Sequence, residues 1–277
     1  MGHGDRHGEP PAVSDLDLET VRVDRDRHGE RVATVVIDRP EARNALNGQV
    51  RRELKTALDA VEADDEIRVI VLTGSDETSS FVAGADVKEL RERDSVAQRE
   101  ASKRPRVYEY VDDVDLPVIA RINGHCLGGG NELALACDVP IAHADAKIGQ
   151  PEIGLGIMPG GGATQRLPRL IGEGQAMRLI LSGEVISAEE AADLGMVEEV
   201  YDDGFDERIA ELAGKMAAHS PVALEFAKKA VKAGSRMDLE QGIEYEAELF
   251  AALFATEDKN EGIDAFLEDR EPEFEGN

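Results

Sequence analysis

Two glutamates in glycine-rich, uncharged surroundings are the residues best placed to do chemistry. Glu132 comes directly after Gly128-Gly129-Gly130-Asn131, and Glu152 lies in Gln150-Pro151-Glu152, beside the uncharged run Ile153 to Gln165. A poorly solvated carboxyl holds its proton more tightly, and two of them flanking one substrate can divide acid and base roles. Chance placement competes with that reading, because the chain has 58 acidic residues, and Glu132 could simply satisfy a helix N-terminus.

The glycines offer a second kind of chemistry. Gly128-Gly129-Gly130 falls where a strand and turn pass into a helix, so unpaired N–H groups and the helix dipole point at one spot. Ala83-Gly84-Ala85-Asp86, just ahead of another helical pattern, offers a further N–H, and two converging donors would make an oxyanion hole. Taken alone, each segment is more simply a turn that needs φ > 0. A dinucleotide fingerprint is absent: after Gly154-Leu-Gly156 the next glycine comes one position late, at Gly160, and Gly172-Glu-Gly174 has Met177 in third place. A Walker lysine is missing too.

The elements that must hold these residues follow from periodicity. Val32 to Ile37 reads as a strand, Asn47 to Ala63 as an amphipathic helix with Val50, Leu54, Leu58 and Val61 on one face, and Ile67 to Thr73 as a buried strand closed by Gly74. That order predicts an α/β protein. A second unit of the kind follows, with strands at Pro117 to Ile122 and Val139 to Ala142 around a short helix at Asn131 to Cys137. Between the units, Val87 to Val114 is highly charged and helical in pattern, broken at Pro105. From Ser187 onward helices dominate, with a Ser-x-x-Glu capping box at Ser187 to Glu190 and Ser220-Pro221 opening another helix. Residues 1–31 read as a polar leader, 32–203 as the core and 204–277 as a helical C-terminal region.

Composition removes several classes of function. The 277 residues carry 58 Asp+Glu against 31 Lys+Arg, a net charge of -27, with 42% apolar residues. Such a chain is long and apolar enough for a core, and too negative to favour nucleic acid. The cations are 9 Lys and 22 Arg. Lysine-poor acidity spread over the whole chain predicts adaptation to molar salt, where the Debye length is about 3 Å; an ordinary acidic protein is the alternative. Cys126 and Cys137 lack metal-ligand spacing and read as small core hydrophobes. Neither a signal-peptide core nor a membrane span is evident, so the expected location is the cytoplasm.

Several motifs in sequence order resemble the enoyl-CoA hydratase branch of the crotonase superfamily. They are Arg39-Pro40 to Asn44-Ala45-Leu46-Asn47, Phe81-Val82-Ala83-Gly84-Ala85-Asp86, Pro117-Val118-Ile119-Ala120 to Asn123-Gly124, Leu127-Gly128-Gly129-Gly130-Asn131-Glu132-Leu133-Ala134, and Gln150-Pro151-Glu152 to Pro159-Gly160-Gly161-Gly162. The likeness runs from about Val32 to Phe274. It implies an α/β, crotonase-like spiral of ββα units with an α-helical C-terminal oligomerisation region, assembling as a homotrimer or a hexamer of paired trimers.

The resemblance also implies the chemistry: reversible hydration of a 2-trans-enoyl-CoA to a 3-hydroxyacyl-CoA in fatty-acid or branched-chain breakdown, with no metal or separate cofactor. The thioester carbonyl would sit between the N–H groups of Ala85 and Gly129. Glu132 would activate water for attack at C3, and Glu152 would exchange a proton at C2. Ala83, Ala85, Asp86, Val87, Lys88 and Gly129 would line the acyl-CoA site, with Ala42 and Arg43 near the nucleotide. Phe250 matches an aromatic that reaches a neighbouring subunit's CoA, with a core position as the competing reading. Lys88 and the cluster Arg99, Lys103, Arg104 and Arg106 are either CoA-phosphate contacts or solvated helix faces.

Some positions depart from the family pattern. Asp269 stands where relatives often have Lys, Ala163 replaces a glycine and so should not need φ > 0, and Arg121 is an unexpected charge at the end of a core strand. Alternatives that remain are an enoyl-CoA isomerase, a specialised hydratase of the methylglutaconyl-CoA type, and, in a different class, a non-catalytic acyl-CoA-binding or RNA-binding protein.

Overall fold

The computed structural model describes residues 10–277. Ten strands form two sheets. The larger holds β1 (Val21–Asp24), β2 (Val32–Ile37), β3 (Val69–Gly74), β5 (Val118–Ile122), β7 (Val139–His143) and β10 (Glu199–Tyr201) in the order β1-β2-β3-β5-β7-β10. Only β1 runs antiparallel to its neighbour there. The smaller holds β4 (Ser80–Val82), β6 (His125–Leu127), β8 (Lys147–Gly149) and β9 (Val185–Ser187) in that order. After β3, β5 and β7 the chain crosses each time to the small sheet, as β4, β6 and β8, so successive units advance together along both sheets. This is the expected α/β spiral.

Helix α1 (Gly48–Glu62) begins at Asn47, whose side chain accepts from the N–H of Val50, and its apolar face of Val50, Leu54, Leu58 and Val61 is fully buried. The apolar run expected from Ile67 starts as a strand only at Val69, where pairing with Val32 begins, and the Arg68 side chain donates to the carbonyls of Ala217 and His219. The charged segment 87–114 forms three short helices, α2 (Val87–Glu92), α3 (Ser95–Ala101) and α4 (Val107–Asp112). Helix α5 (Gly129–Ala134) starts and stops earlier than its apolar pattern suggests, since the chain enters it directly from glycine. It is followed by α6 (Ala163–Ser182) and α7 (Ala188–Leu194), the latter capped by Ser187 as the capping-box pattern requires.

Two of the expected boundaries need correction. Within the leader assigned to residues 1–31, Val21–Asp24 pairs in register with Thr34 to Ile37 and buries Val21, so the core begins there; residues 1–9 lie outside the described residues. At the other end, α8 (Phe205–Ala217) packs Phe205, Ile209, Ala213 and Ala217 against Val32, Val69, Val71, Ile119 and Ile141. It covers a face of the large sheet and belongs to the core. Arg121 explains the attachment: its guanidinium is 5% exposed, bonds Asp206 at 2.6 Å and Asp76 at 2.9 Å, and stacks 4.9 Å over Phe205.

Beyond it, α9 (Pro221–Gly234) and α10 (Leu239–Leu253) contain no buried residue, and α11 (Glu257–Glu268) leaves Phe266 and Leu267 exposed. No described helix is long and apolar enough to cross a membrane.

Candidate active site

The triple glycine joins the end of β6 to α5. Gly128 takes φ 52° and ψ −121°, which a side chain resists, and Gly130 lies so close to the Val82 carbonyl that a Cβ there would collide with it. This close approach draws the segment after β4 against the start of α5. A Cβ at Gly129 would stand 3.4 Å from the Ala85 nitrogen. Leu46 fixes the same segment, donating to the Gly84 carbonyl at 2.8 Å and accepting from Asp86 at 3.0 Å. Those bonds use the groups flanking Ala85 and leave its own N–H on the other side. The N–H of Gly129, first residue of its helix, has no helical partner by position.

Glu132 lies one turn along α5 and is 2% exposed. Its Oε1 accepts from the N–H of Gly161 at 2.5 Å and of Ala163 at 3.1 Å. Burial raises this carboxyl above its ordinary range, and the N–H groups of Ala163, Gly161 and Gly162 with the Arg106 charge oppose that rise. Ala163 begins α6 with no positive φ, as its departure from glycine requires; Gly162 before it carries φ 125°.

Glu152 comes from the short 3-10 helix Pro151–Leu155 that follows β8. Its Oε1 lies 3.1 Å from where a Cβ on Gly128 would be, and it lines the same cavity as Glu132. Burial pushes its carboxyl up to about 7, and the negative Glu132 adds to the effect. Gln150, with its amide nitrogen turned to Glu152, donates to both carboxyl oxygens at 3.0 and 3.1 Å and accepts from Asn131 at 3.1 Å.

A cavity of about 830 Å³ contains the whole arrangement. Ala83, Ala85, Val87, Gly129, Glu132 and Glu152, all singled out in the sequence, line it. Asp86 does not: its carboxylate pairs with Arg39 at 2.8 Å and caps α2, and the Arg39 hydrogen bond holds it below the usual range. Ala42, Arg43 and Lys88 also stay outside the lining, although the Arg43 carbonyl accepts from Ala83 at 3.1 Å. Phe250 is neither in the core nor in this cavity of its own chain. It is 63% exposed, meets Phe254 edge to face and lines a second, apolar hollow beside Phe274. Of the basic cluster, Lys103 and Arg106 reach the lining, while Arg99 and Arg104 do not.

The sequence reading passed over Tyr108. It is 7% exposed on α4, with its hydroxyl 2.9 Å from the Cβ position of Gly129 and its ring 2.5 Å from that of Gly161. Burial, seconded by Glu132, pushes the phenol up to about 12, so it stays neutral. Gly161 was equally unmarked within its glycine run; a Cβ there would strike the Glu132 carboxylate.

Residues 27–277 match the family model described as enoyl-CoA hydratase/isomerase. The chain belongs to that family. It is 44% identical to the 2,3-dehydroadipyl-CoA hydratase of Escherichia coli over 89% of this chain and 96% of that one. It is 40% identical to the short-chain-enoyl-CoA hydratase of Clostridium acetobutylicum over 88% of this chain and 94% of that one. The crystal structure of an enoyl-CoA hydratase from Bacillus anthracis superposes with a TM-score of 0.88 at 38% identity, covering 94% of this chain and all of that one. As a member of the enoyl-CoA hydratase/isomerase family with these relatives, the chain hydrates an enoyl-CoA thioester.

Proposed function

We propose that Glu132 and Glu152 are the base and acid of a reversible hydration of 2-trans-enoyl-CoA to 3-hydroxyacyl-CoA. The observation that carries the reading is the asymmetry between them. Burial raises both carboxyls, but at Glu132 the backbone N–H groups of Gly161 and Ala163 oppose the rise and favour its ionised form, whereas Glu152 is pushed up to about 7 and keeps a proton to give at neutral pH. Glu132 removes a proton from water as its oxygen bonds to C3. The electron pair of the double bond moves toward the thioester, whose oxygen becomes negative, and Glu152 delivers its proton to C2.

Ala85 and Gly129 supply the N–H groups that meet this oxygen. Each such donor lowers the barrier by about 3 to 4 kcal/mol, because it is already oriented when the charge develops. Proton transfer between two carboxyls and one water requires neither metal nor separate cofactor. Disappearance of the conjugated thioester absorbance of crotonyl-CoA tests the reading; double-bond migration without hydration would favour an isomerase instead.

The exposed apolar residues Val231, Leu239, Ile243, Phe250, Phe254 and Phe266 on α9 to α11 support assembly as a homotrimer or paired trimers. The charge of -27 with few lysines supports a cytoplasmic protein adapted to strong salt.

A further inference from the structure

The peptide unit joining Gly160 to Gly161 carries a hydrogen bond at each end. Its N–H, on Gly161, donates to Glu132 Oε1 at 2.5 Å, and its carbonyl, on Gly160, accepts from Nη1 of Arg106. One planar amide therefore stands between a guanidinium and the buried carboxyl. A donor on a carbonyl oxygen draws electron density through the amide and makes the N–H of the same unit a stronger donor. The bond that reaches Glu132 from this loop is thus strengthened by a cation one peptide away.

The rest of the guanidinium is arranged to hold Nη1 in that place. Nε donates to the two oxygens of Glu109 at 3.1 and 3.0 Å, and Nη2 bonds the same carboxylate, so Nη1 is the corner left to face Gly160. Glu109, 7% exposed in the first turn of α4, also accepts from the Arg106 backbone N–H at 2.9 Å. An arginine kept for solvent or for a phosphate would leave its fork open, whereas here all three nitrogens are engaged within the protein.

Burial raises the Glu132 carboxyl, and the Arg106 charge is among the groups that oppose the rise. The other titratable groups around Glu132 are accounted for. From α4 come Glu109, spent on Arg106, and the neutral phenol of Tyr108. The 3-10 helix brings Glu152, and α6 brings Arg166, which pairs with Asp112 at 3.3 Å. From β6 come the buried thiol of Cys126 and His125, whose ring meets the Ser79 carbonyl at 2.8 Å.

We propose that Arg106 is a positioning residue for the hydration: through the peptide joining Gly160 to Gly161 it orients the N–H that holds Glu132 and favours the ionised form that takes a proton from water. The inference rests on the reading of Glu132 as the base.

The test is the pH dependence of kcat/KM for crotonyl-CoA in wild type, Arg106→Gln and Arg106→Lys. Hydration needs Glu132 ionised, so the acidic limb rises through the pair's lower apparent pKa. Removing the cation from the Gly160 carbonyl raises that pKa. In Arg106→Gln the acidic limb should move up by about half a unit to one unit, and in Arg106→Lys, which keeps the charge and loses the fork, by less. KM at the optimum should change only a few-fold. Carboxyl NMR of the substrate-free protein should show the Glu132 titration displaced in the same direction, a reading independent of turnover, and Arg106→Lys serves where Arg106→Gln does not fold. An acidic limb and a Glu132 titration that stay in place in the variants overturn the proposal. So does a loss confined to KM for the CoA thioester and absent with the matching pantetheine thioester, which assigns Arg106 to the CoA phosphates. Either result with Glu132→Gln inactive sinks this inference alone, whereas full turnover in Glu132→Gln sinks the reading of Glu132 as the base and this inference with it.

Discussion

The N–H of Gly161 donates to Glu132 Oε1 at 2.5 Å, and the Gly161 Cα is so close to the same carboxylate that no side chain fits between them. The loop before α6 therefore fixes the position of the Glu132 carboxyl on α5 and opposes the rise that burial imposes on it. Glu152, which lines the same cavity, takes its donor from the Gln150 side chain, and burial pushes it up to about 7. In the proposed mechanism these different partners, on otherwise similar carboxyls, separate acid from base.

That separation has a sign in pH. Hydration requires Glu152 protonated, so kcat/KM for crotonyl-CoA should fall about tenfold per unit as pH rises beyond the pair's upper apparent pKa of about 7. The reverse dehydration uses the same singly protonated pair, with the proton on Glu132, and because the overall reaction exchanges no proton with solution its kcat/KM should fall in parallel over the same interval. Rate profiles taken in both directions check this; profiles that stay flat through pH 7 would remove Glu152 from proton transfer.

Gly161→Ala should lower kcat by about 100-fold, because the new methyl displaces the Glu132 carboxylate and the Tyr108 ring together. Gly154→Ala, on the cavity-side 3-10 helix with open space around its Cα, is the matched control and should retain near wild-type rates. Steady-state kinetics on the two variants decides the point.

Arg121→Ala should destabilise the protein by about 1 to 3 kcal/mol, since it removes a buried guanidinium from half-exposed Asp206 and Asp76, which keep Arg27, and uncovers Phe205. Denaturant unfolding measures the loss. The folded fraction should keep its turnover number, because none of these residues lines the cavity.

Salt should matter at two levels. Transfer from molar to about 0.1 M KCl lengthens the Debye length from about 3 to 10 Å, which restores repulsion within a surface of charge -27 and between that surface and CoA. Activity and assembly should both fall, as followed by kinetics and light scattering. Full activity and an intact oligomer in dilute buffer would leave the acidity without this explanation.

Much of the site is legible in the sequence because its parts are local. The glycines around Gly129, the Ala83 to Ala85 segment and the two glutamates each announce themselves by residue type and neighbours. Residues whose role depends on long-range packing do not. Tyr108 is an ordinary apolar-face residue of a charged helix until α4 closes over α5, and Gly161 looks like any glycine until Glu132 arrives from 29 positions away. The early strand Val21–Asp24 was hidden for the same reason: four residues of mixed polarity become a strand only by pairing with β2. Arg121 seemed misplaced on a core strand because its partners Asp76 and Asp206 lie 45 and 85 residues away.

The division of labour between the two carboxyls is tested most directly by crotonyl-CoA turnover together with solvent-deuterium incorporation at C2 in wild type, Glu132→Gln and Glu152→Gln. Each variant should lose about 10²- to 10⁴-fold in kcat with KM changed only a few-fold, and Glu152→Gln alone should also abolish C2 exchange in the 3-hydroxyacyl product. Wild-type turnover surviving in either variant, or exchange at C2 persisting in Glu152→Gln while hydration is lost, would contradict the account.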